Sequence, residues 1–139
     1  FQFNILVLFL LIMATLLAIV GALGLSGTMS INVLERIREI GVMRAIGASS
    51  RAIMQLVIVE GVLIAVMSWI LGGLLSLPLS RLLSNIVGFA FLQAPLSYTF
   101  STFGLFAWLG IVVVLAAAAS LLPAWNAARL TVRDVLAYE

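Results

Sequence analysis

The stretch Asn32-Val-Leu-Glu-Arg-Ile-Arg-Glu-Ile-Gly-Val-Met-Arg-Ala-Ile-Gly-Ala-Ser-Ser-Arg51 decides how this chain folds. It holds four of the seven arginines and two of the five acidic residues, and a membrane-length apolar run lies on each side of it. Charged side chains are costly in hydrocarbon. The stretch therefore has to lie on a membrane surface or against a soluble partner, between two spanning segments.

The composition places the chain among integral membrane proteins. Of its 139 residues, 65% are hydrophobic and 9% are charged, and the mean hydropathy is +1.32, whereas soluble domains carry about 25% charged residues. The first residue is Phe1 rather than Met, which predicts a fragment or a processed product, and no basic segment of a signal peptide precedes the apolar run.

The residue types that are missing narrow the chemistry. The sequence has no Cys, His or Lys, so disulfides, thiolate chemistry, histidine bases and a lysine-containing phosphate loop are all excluded. We therefore predict a non-catalytic chain without a metal site, which does not itself hydrolyse ATP. A net charge of +2, clustered in short segments, does not indicate a nucleic-acid partner.

Three helices are predicted to span the membrane, at about residues 5–29, 53–79 and 102–125. A helix needs about 20 apolar residues to cross a bilayer, and these runs neither alternate nor have strand lengths. The fold class is therefore all-α. A cytoplasmic loop at 31–52, an outer loop at 80–101 and a cytoplasmic tail at 126–139 connect and follow the spans. The outer loop is apolar enough to lie in the membrane interface or to pack against another domain.

The arginines give the orientation. Six lie in the first loop or the tail, and the outer loop holds only Arg81. By the positive-inside rule, the first loop and the C-terminus are cytoplasmic, and the N-terminus of this chain is outside.

Small residues recur every four positions in two spans, which allows close helix approach. These stripes either pack the three helices on one another or fit a further helix or a second subunit. Gly72, Gly73 and Pro78 in the second span indicate a kink, close packing or an ordinary tolerated break. The two stripes are Ala14, Ala18, Ala22, Ser26 and Ser30, and Ala116, Ser120, Ala124 and Ala128.

The charged loop has the pattern of a short amphipathic helix. We predict a helix that breaks at Gly41, a further turn that ends at Gly47 as a C-cap, and an N-cap at Ser49 or Ser50 for the next span. The segment is either a surface-lying helix that orients two spans or a docking element for a soluble protein. Its alternating acids and arginines favour a protein partner.

Glu60 is the only acidic residue inside a predicted span. Such a residue can relay protons, pair with an arginine or reach the interface. We expect it to pair, with Arg51 or Arg129, or to reach the interface, because the chain has no second ionisable group at depth.

The sequence resembles the FtsX/MacB-like permease family over nearly its whole length. Residues 35–53 read Glu-Arg-Ile-Arg-Glu-Ile-Gly-Val-Met-Arg-Ala-Ile-Gly-Ala-Ser-Ser-Arg-Ala-Ile and follow the pattern E-R-x-x-E-I-G-x-x-R-A-I-G-A-x-x-x-x-I. Glu60-Gly61 and the tail from Pro123 to Leu136 also agree, except that Val132 stands where the family usually has Pro. The resemblance implies the last three of four spans, with a first span and an extracytoplasmic domain preceding them.

The resemblance also implies a function. Such a subunit pairs with a second permease subunit in the bacterial inner membrane and with an ATP-binding cassette subunit, fused or separate, which binds the ATP and Mg. The cytoplasmic loop is then the coupling helix, and the spans pass its motion outward by mechanotransmission. The implied coupling contacts include Ile40 and Ile46 as groove anchors, and the full set is Glu35, Arg36, Arg38, Glu39, Ile40, Gly41, Arg44, Ala45, Ile46 and Gly47.

Two uses of this motion stay open. The first is export or release of a substrate, and the alternative is activation of a cell-wall hydrolase. An intramembrane enzyme is disfavoured because no nucleophile has a candidate base, and a self-contained carrier is disfavoured because three spans show no inverted repeat.

Overall fold

Four helices make up the described part of the chain. The computed structural model describes residues 2–92, 99 and 101–129. These residues form α1 (Gln2–Glu35), α2 (Ile37–Ala45), α3 (Ser50–Leu92) and α4 (Thr102–Arg129), with no strand in these ranges. The predicted all-α class is confirmed.

Three of these helices are long and apolar enough to cross a membrane: Asn4–Glu35, Ser50–Phe89 and Thr102–Arg129. Most of their large apolar side chains are exposed. Soluble proteins rarely expose contiguous apolar surface of this extent, whereas helices in lipid do so routinely.

The helix α3 is longer than the predicted second span. It continues through Pro78 to Leu92, so the first part of the predicted outer loop is helical. At about 1.5 Å per residue, a helix of this length exceeds the roughly 30 Å hydrocarbon core by far. The location of residues 80–101 outside the membrane stays a prediction, and residues 93–98 and 100 lie outside the described residues.

The chain divides into two compact units. The first takes Phe1–Leu63 and Val114–Glu139, and the second takes Ile64–Val113. In the second unit, the rings of Trp69 and Phe106 lie with centroids 6.5 Å apart. A side chain at Gly72 would meet nothing within 4 Å there, and one at Gly73 would make only an ordinary contact at 3.9 Å with Leu105. Of the alternatives for these glycines, close packing is therefore not supported.

The first unit has a buried core. It joins the end of α1, the helix α2, the start of α3 and the end of α4. These segments are the ones that are predicted to lie on the cytoplasmic side. Its members are Met29, Val33, Ile40, Ile53, Val57, Ala124 and Ala127.

The small-residue stripe of α4 belongs to this unit. Ala116, Ser120, Ala124 and Ala128 are all buried, so this stripe packs inside the chain, as the first of the two alternatives predicted. The α1 stripe is only half-buried.

Candidate coupling surface

The two faces of α2 have opposite environments. One face is packed against the unit: Ile40 is only 4% exposed and Gly41 is also buried. The other face, which we call the exposed face, carries Val42 at 58% and Ile46 at 81% exposure. Its residues recur at the three- and four-residue spacing of one helical side. They are Arg38, Glu39, Val42, Ala45 and the C-cap Ile46, and Glu35 at the end of α1 precedes them at the same spacing.

The start of α2 differs from the prediction. The helix does not break at Gly41; the irregular residue is Arg36, with φ −103° and ψ 17°. Backbone bonds continue across it, from the Arg36 N–H to the Asn32 carbonyl (3.2 Å) and from the Ile40 N–H to the Arg36 carbonyl (3.0 Å). A helix-interior glycine costs about 1 kcal/mol, and the burial of neighbouring Ile40 offsets such a cost at Gly41.

The end of α2 has the predicted glycine cap. Gly47 has φ +101°, a conformation that glycine adopts without steric cost. The Ala48 N–H donates to the Met43 carbonyl (2.9 Å) and the Gly47 N–H donates to the Arg44 carbonyl (3.0 Å), which is the Schellman pair of bonds. Ser49 then caps α3, because its Oγ accepts a bond from the Ala52 N–H at 3.2 Å.

Arg36 lies between two carboxylates. Its Nη1 is 3.4 Å from both carboxylate oxygens of Glu60, and its Nε is 3.8 Å from Glu39 Oε2. Glu60 therefore pairs with an arginine, as predicted, but the predicted partners are wrong. Arg51 lies nine residues away on the same helix, about 14 Å along its axis, and Arg129 stacks on Trp125 with 4.0 Å between the guanidinium and the ring centroid.

A cavity of about 220 Å³ adjoins this ion pair, between α1, α2 and α3. Arg36, Glu39 and Glu60 contribute its charged side chains, with Asn32 beside them. The remaining wall is apolar and consists of Met29, Val33, Ile40, Met43, Leu56 and Val57.

Arg44 also points inward. Its Nη2 donates to Ser50 Oγ at 3.1 Å and to the carbonyl oxygen of Ala128 at the end of α4. Its Nε is buried and has no hydrogen-bond partner among the described residues.

The predicted coupling residues thus separate into two groups. Ile40, Gly41 and the half-buried Arg44 lie on the packed side, and the predicted role of Ile40 as a groove anchor does not fit its burial in the core. Glu35, Arg38, Glu39, Ala45, Ile46 and Gly47 are exposed, and Arg36 is exposed but paired with Glu60. Whether the exposed residues bind a partner stays a prediction.

Sequence reasoning missed Val42. It lies four residues after Arg38 and four before Ile46, which places all three on one side of an unbroken helix. The predicted break at Gly41 hid this periodicity. Within the described residues, no group of three or more acidic side chains could hold a metal ion.

Comparison with known proteins identifies the family of this chain. The model of the "FtsX-like permease C-terminal" family matches residues 6–132. The chain belongs to the FtsX-like permease family. With its three membrane-length helices, this permease chain is a multi-pass membrane protein.

Two relatives illustrate the similarity. The macrolide export ATP-binding/permease protein MacB of Escherichia coli strain K12 is 36% identical over 95% of this chain, and MacB of Salmonella typhi is 34% identical over the same share. The permease chain spans about 19% of the length of either relative.

Proposed function

We propose that this chain is the permease part of an ATP-binding cassette complex and transmits ATP-driven motion across the bacterial inner membrane, to export or release a substrate. The ATP-binding subunit or domain holds the ATP and Mg and performs hydrolysis, and this chain is not itself catalytic. A second permease subunit completes the complex. The N-terminus of the chain lies outside, and its C-terminus is cytoplasmic.

The observation that carries this proposal is the two-sided environment of α2. The packed face connects α2 to α3 and α4 through Ile40 and Arg44, whereas the exposed face offers charged and apolar side chains together. A helix that is fixed on one side and open on the other can receive a push from a partner and pass it to the spans.

The exposed face has the chemistry of a protein docking surface. Val42 and Ile46 form its apolar end, and Arg38 with Glu35 and Glu39 forms its charged end. A helix that enters a groove uses apolar anchors at this spacing, and mixed charges on the rim orient it. A helix that only lies on lipid would instead favour arginine and lysine without acids.

Site-directed crosslinking in membranes tests the proposal. The chain has no Cys, so single cysteines at Arg38 and Val42, in the intact protein, give defined attachment points. We expect both to crosslink to an ATP-binding subunit or domain, with yields that change between the nucleotide-free and ATP-bound states. Phe103→Cys is the matched control, since it is strongly exposed but lies at the predicted outer end of α4.

Crosslinks that reach only lipid, or that are the same from all three positions, contradict the proposal. If the crosslink to the ATP-binding subunit or domain forms but its yield does not change with nucleotide, the result contradicts the transmission step and still supports docking.

A further inference from the structure

We propose that Arg44 is a positioning residue that joins α2 to the end of α4, so that the two helices move as one body, rather than a contact to the ATP-binding partner. This inference rests on the proposed function and refines it. It assigns to Arg44 a role inside the chain and restricts the partner surface to the exposed face of α2.

The geometry places Arg44 where three helices meet. It belongs to the last turn of α2 and follows the buried pair Ile40 and Gly41 by one turn. Its Nη2 group reaches Ser50, the first residue of α3, and the Ala128 carbonyl in the last turn of α4. A single guanidinium thus links the three helix ends.

The chemistry of this link is strong and directional. Ala128 lies in the last described turn of α4, and a main-chain carbonyl oxygen has two lone pairs, so it can accept a bond from a guanidinium. A hydrogen bond from a charged donor contributes more than a neutral one. Since Arg44 Nε is buried without a partner among the described residues, the guanidinium is partly dehydrated, which strengthens the bonds that it does make.

The other contacts of the packed face cannot replace this link. Ile40 makes apolar contacts, which have no preferred direction and permit sliding. The bond to Ala128 fixes the position of α2 along α4, and it uses a main-chain oxygen, so it depends on the backbone of α4 rather than on the side chain at 128.

Spin labels on α2 and α4 measure the link directly. Cysteines at Ile37, which is half-buried at the start of α2 and lies outside the exposed face, and at the exposed Asn126 carry the labels in the intact ATP-binding complex. Electron paramagnetic resonance gives their distance with and without a non-hydrolysable ATP analogue. We expect one narrow distance that does not change with nucleotide. In Arg44→Met, we expect the separated conformer to become at least about tenfold more populated, because bonds to a charged donor are lost. The distance should then broaden and change with nucleotide.

Two further variants separate positioning from folding. Arg44→Lys keeps the charge and should retain part of the narrow distribution, and Ser50→Ala removes one acceptor but keeps the bond to Ala128, so its distribution should stay narrow. Arg51→Met, which removes an exposed arginine, is the control and should match the parent.

The outcomes distinguish this inference from the proposed function. A narrow, nucleotide-independent distance in Arg44→Met, or a parent distance that already changes with nucleotide, overturns the link. The Arg38→Cys crosslink reports docking separately, and we expect it to persist in the Arg44→Met protein. If this crosslink forms in the parent but is lost in Arg44→Met, Arg44 is part of the docking surface and the inference is overturned. Absence of that crosslink in the parent overturns the proposed function alone.

Discussion

Gly61 is the position at which a single methyl group is expected to disturb the packing of the first unit most. A Cβ added there would overlap Ser120 Oγ and lie 3.1 Å from Ser120 Cβ and 4.0 Å from Met29 Cγ. Both neighbours are fully buried, so neither can move aside freely. The perturbation is therefore Gly61→Ala.

Two effects of this substitution oppose each other. Overpacking of a filled interior costs typically 1–3 kcal/mol, whereas exchanging glycine for alanine in a helix returns up to about 1 kcal/mol of intrinsic helix propensity. We expect a net loss of about 1–2 kcal/mol in the free energy of unfolding, which lowers the folded-to-unfolded ratio by roughly tenfold.

Unfolding of the intact protein by SDS in detergent micelles measures this difference, with a fluorescent probe on Asn126→Cys beside the core. Gly21→Ala is the matched control, because a Cβ there meets nothing within 4 Å. Gly61→Ala combined with Ser120→Gly, which removes both opposing atoms, should recover most of the loss. Equal stability of the Gly61→Ala and Gly21→Ala proteins would refute the packing argument.

Three further predictions use the same unfolding measurement. Ser120→Ala should keep or raise stability by about 1 kcal/mol, because the buried Ser120 hydroxyl has no hydrogen-bond partner in the described ranges and an unsatisfied group is costly; a clear loss would show that the hydroxyl is bonded. Arg36→Met and Glu60→Gln should couple in a double-mutant cycle by up to about 1 kcal/mol, as expected of a partly exposed pair, whereas Arg51→Met should show no coupling to Glu60→Gln. Gly47→Ala should cost about 1–2 kcal/mol, because its φ of +101° is unfavourable for a residue with a Cβ; an unchanged midpoint would contradict the cap geometry.

The length of the apolar runs was sufficient to predict the three long helices, because a helix needs about 20 consecutive apolar residues to cross the bilayer. Local chemistry also predicted both caps around residues 47–49, because a left-handed glycine and an N-cap serine act through neighbouring backbone atoms. These features need no knowledge of tertiary contacts.

Partner choice could not be predicted in the same way. Glu60 was expected to pair with Arg51 or Arg129, but the end of α1 brings Arg36 beside it. The interior position of Arg44 likewise follows from its contact with Ala128 of α4, 84 residues later in the chain. Helix patterns fix which residues share a face, but they do not fix which helix that face meets.

The arginines of the charged loop have different tasks because a bilayer changes what holds helices together. In a bilayer, apolar side chains gain little free energy by exchanging contacts with lipid for contacts with one another. Helix association therefore depends on close packing and on polar contacts. The first unit uses both: Gly61 and Ser120 let helices approach closely, Arg36 pairs with Glu60, and Arg44 bonds inward to Ala128. Arg36 and Arg44 are therefore committed to contacts within the chain, which leaves Arg38 as the exposed arginine of α2 that can meet a partner.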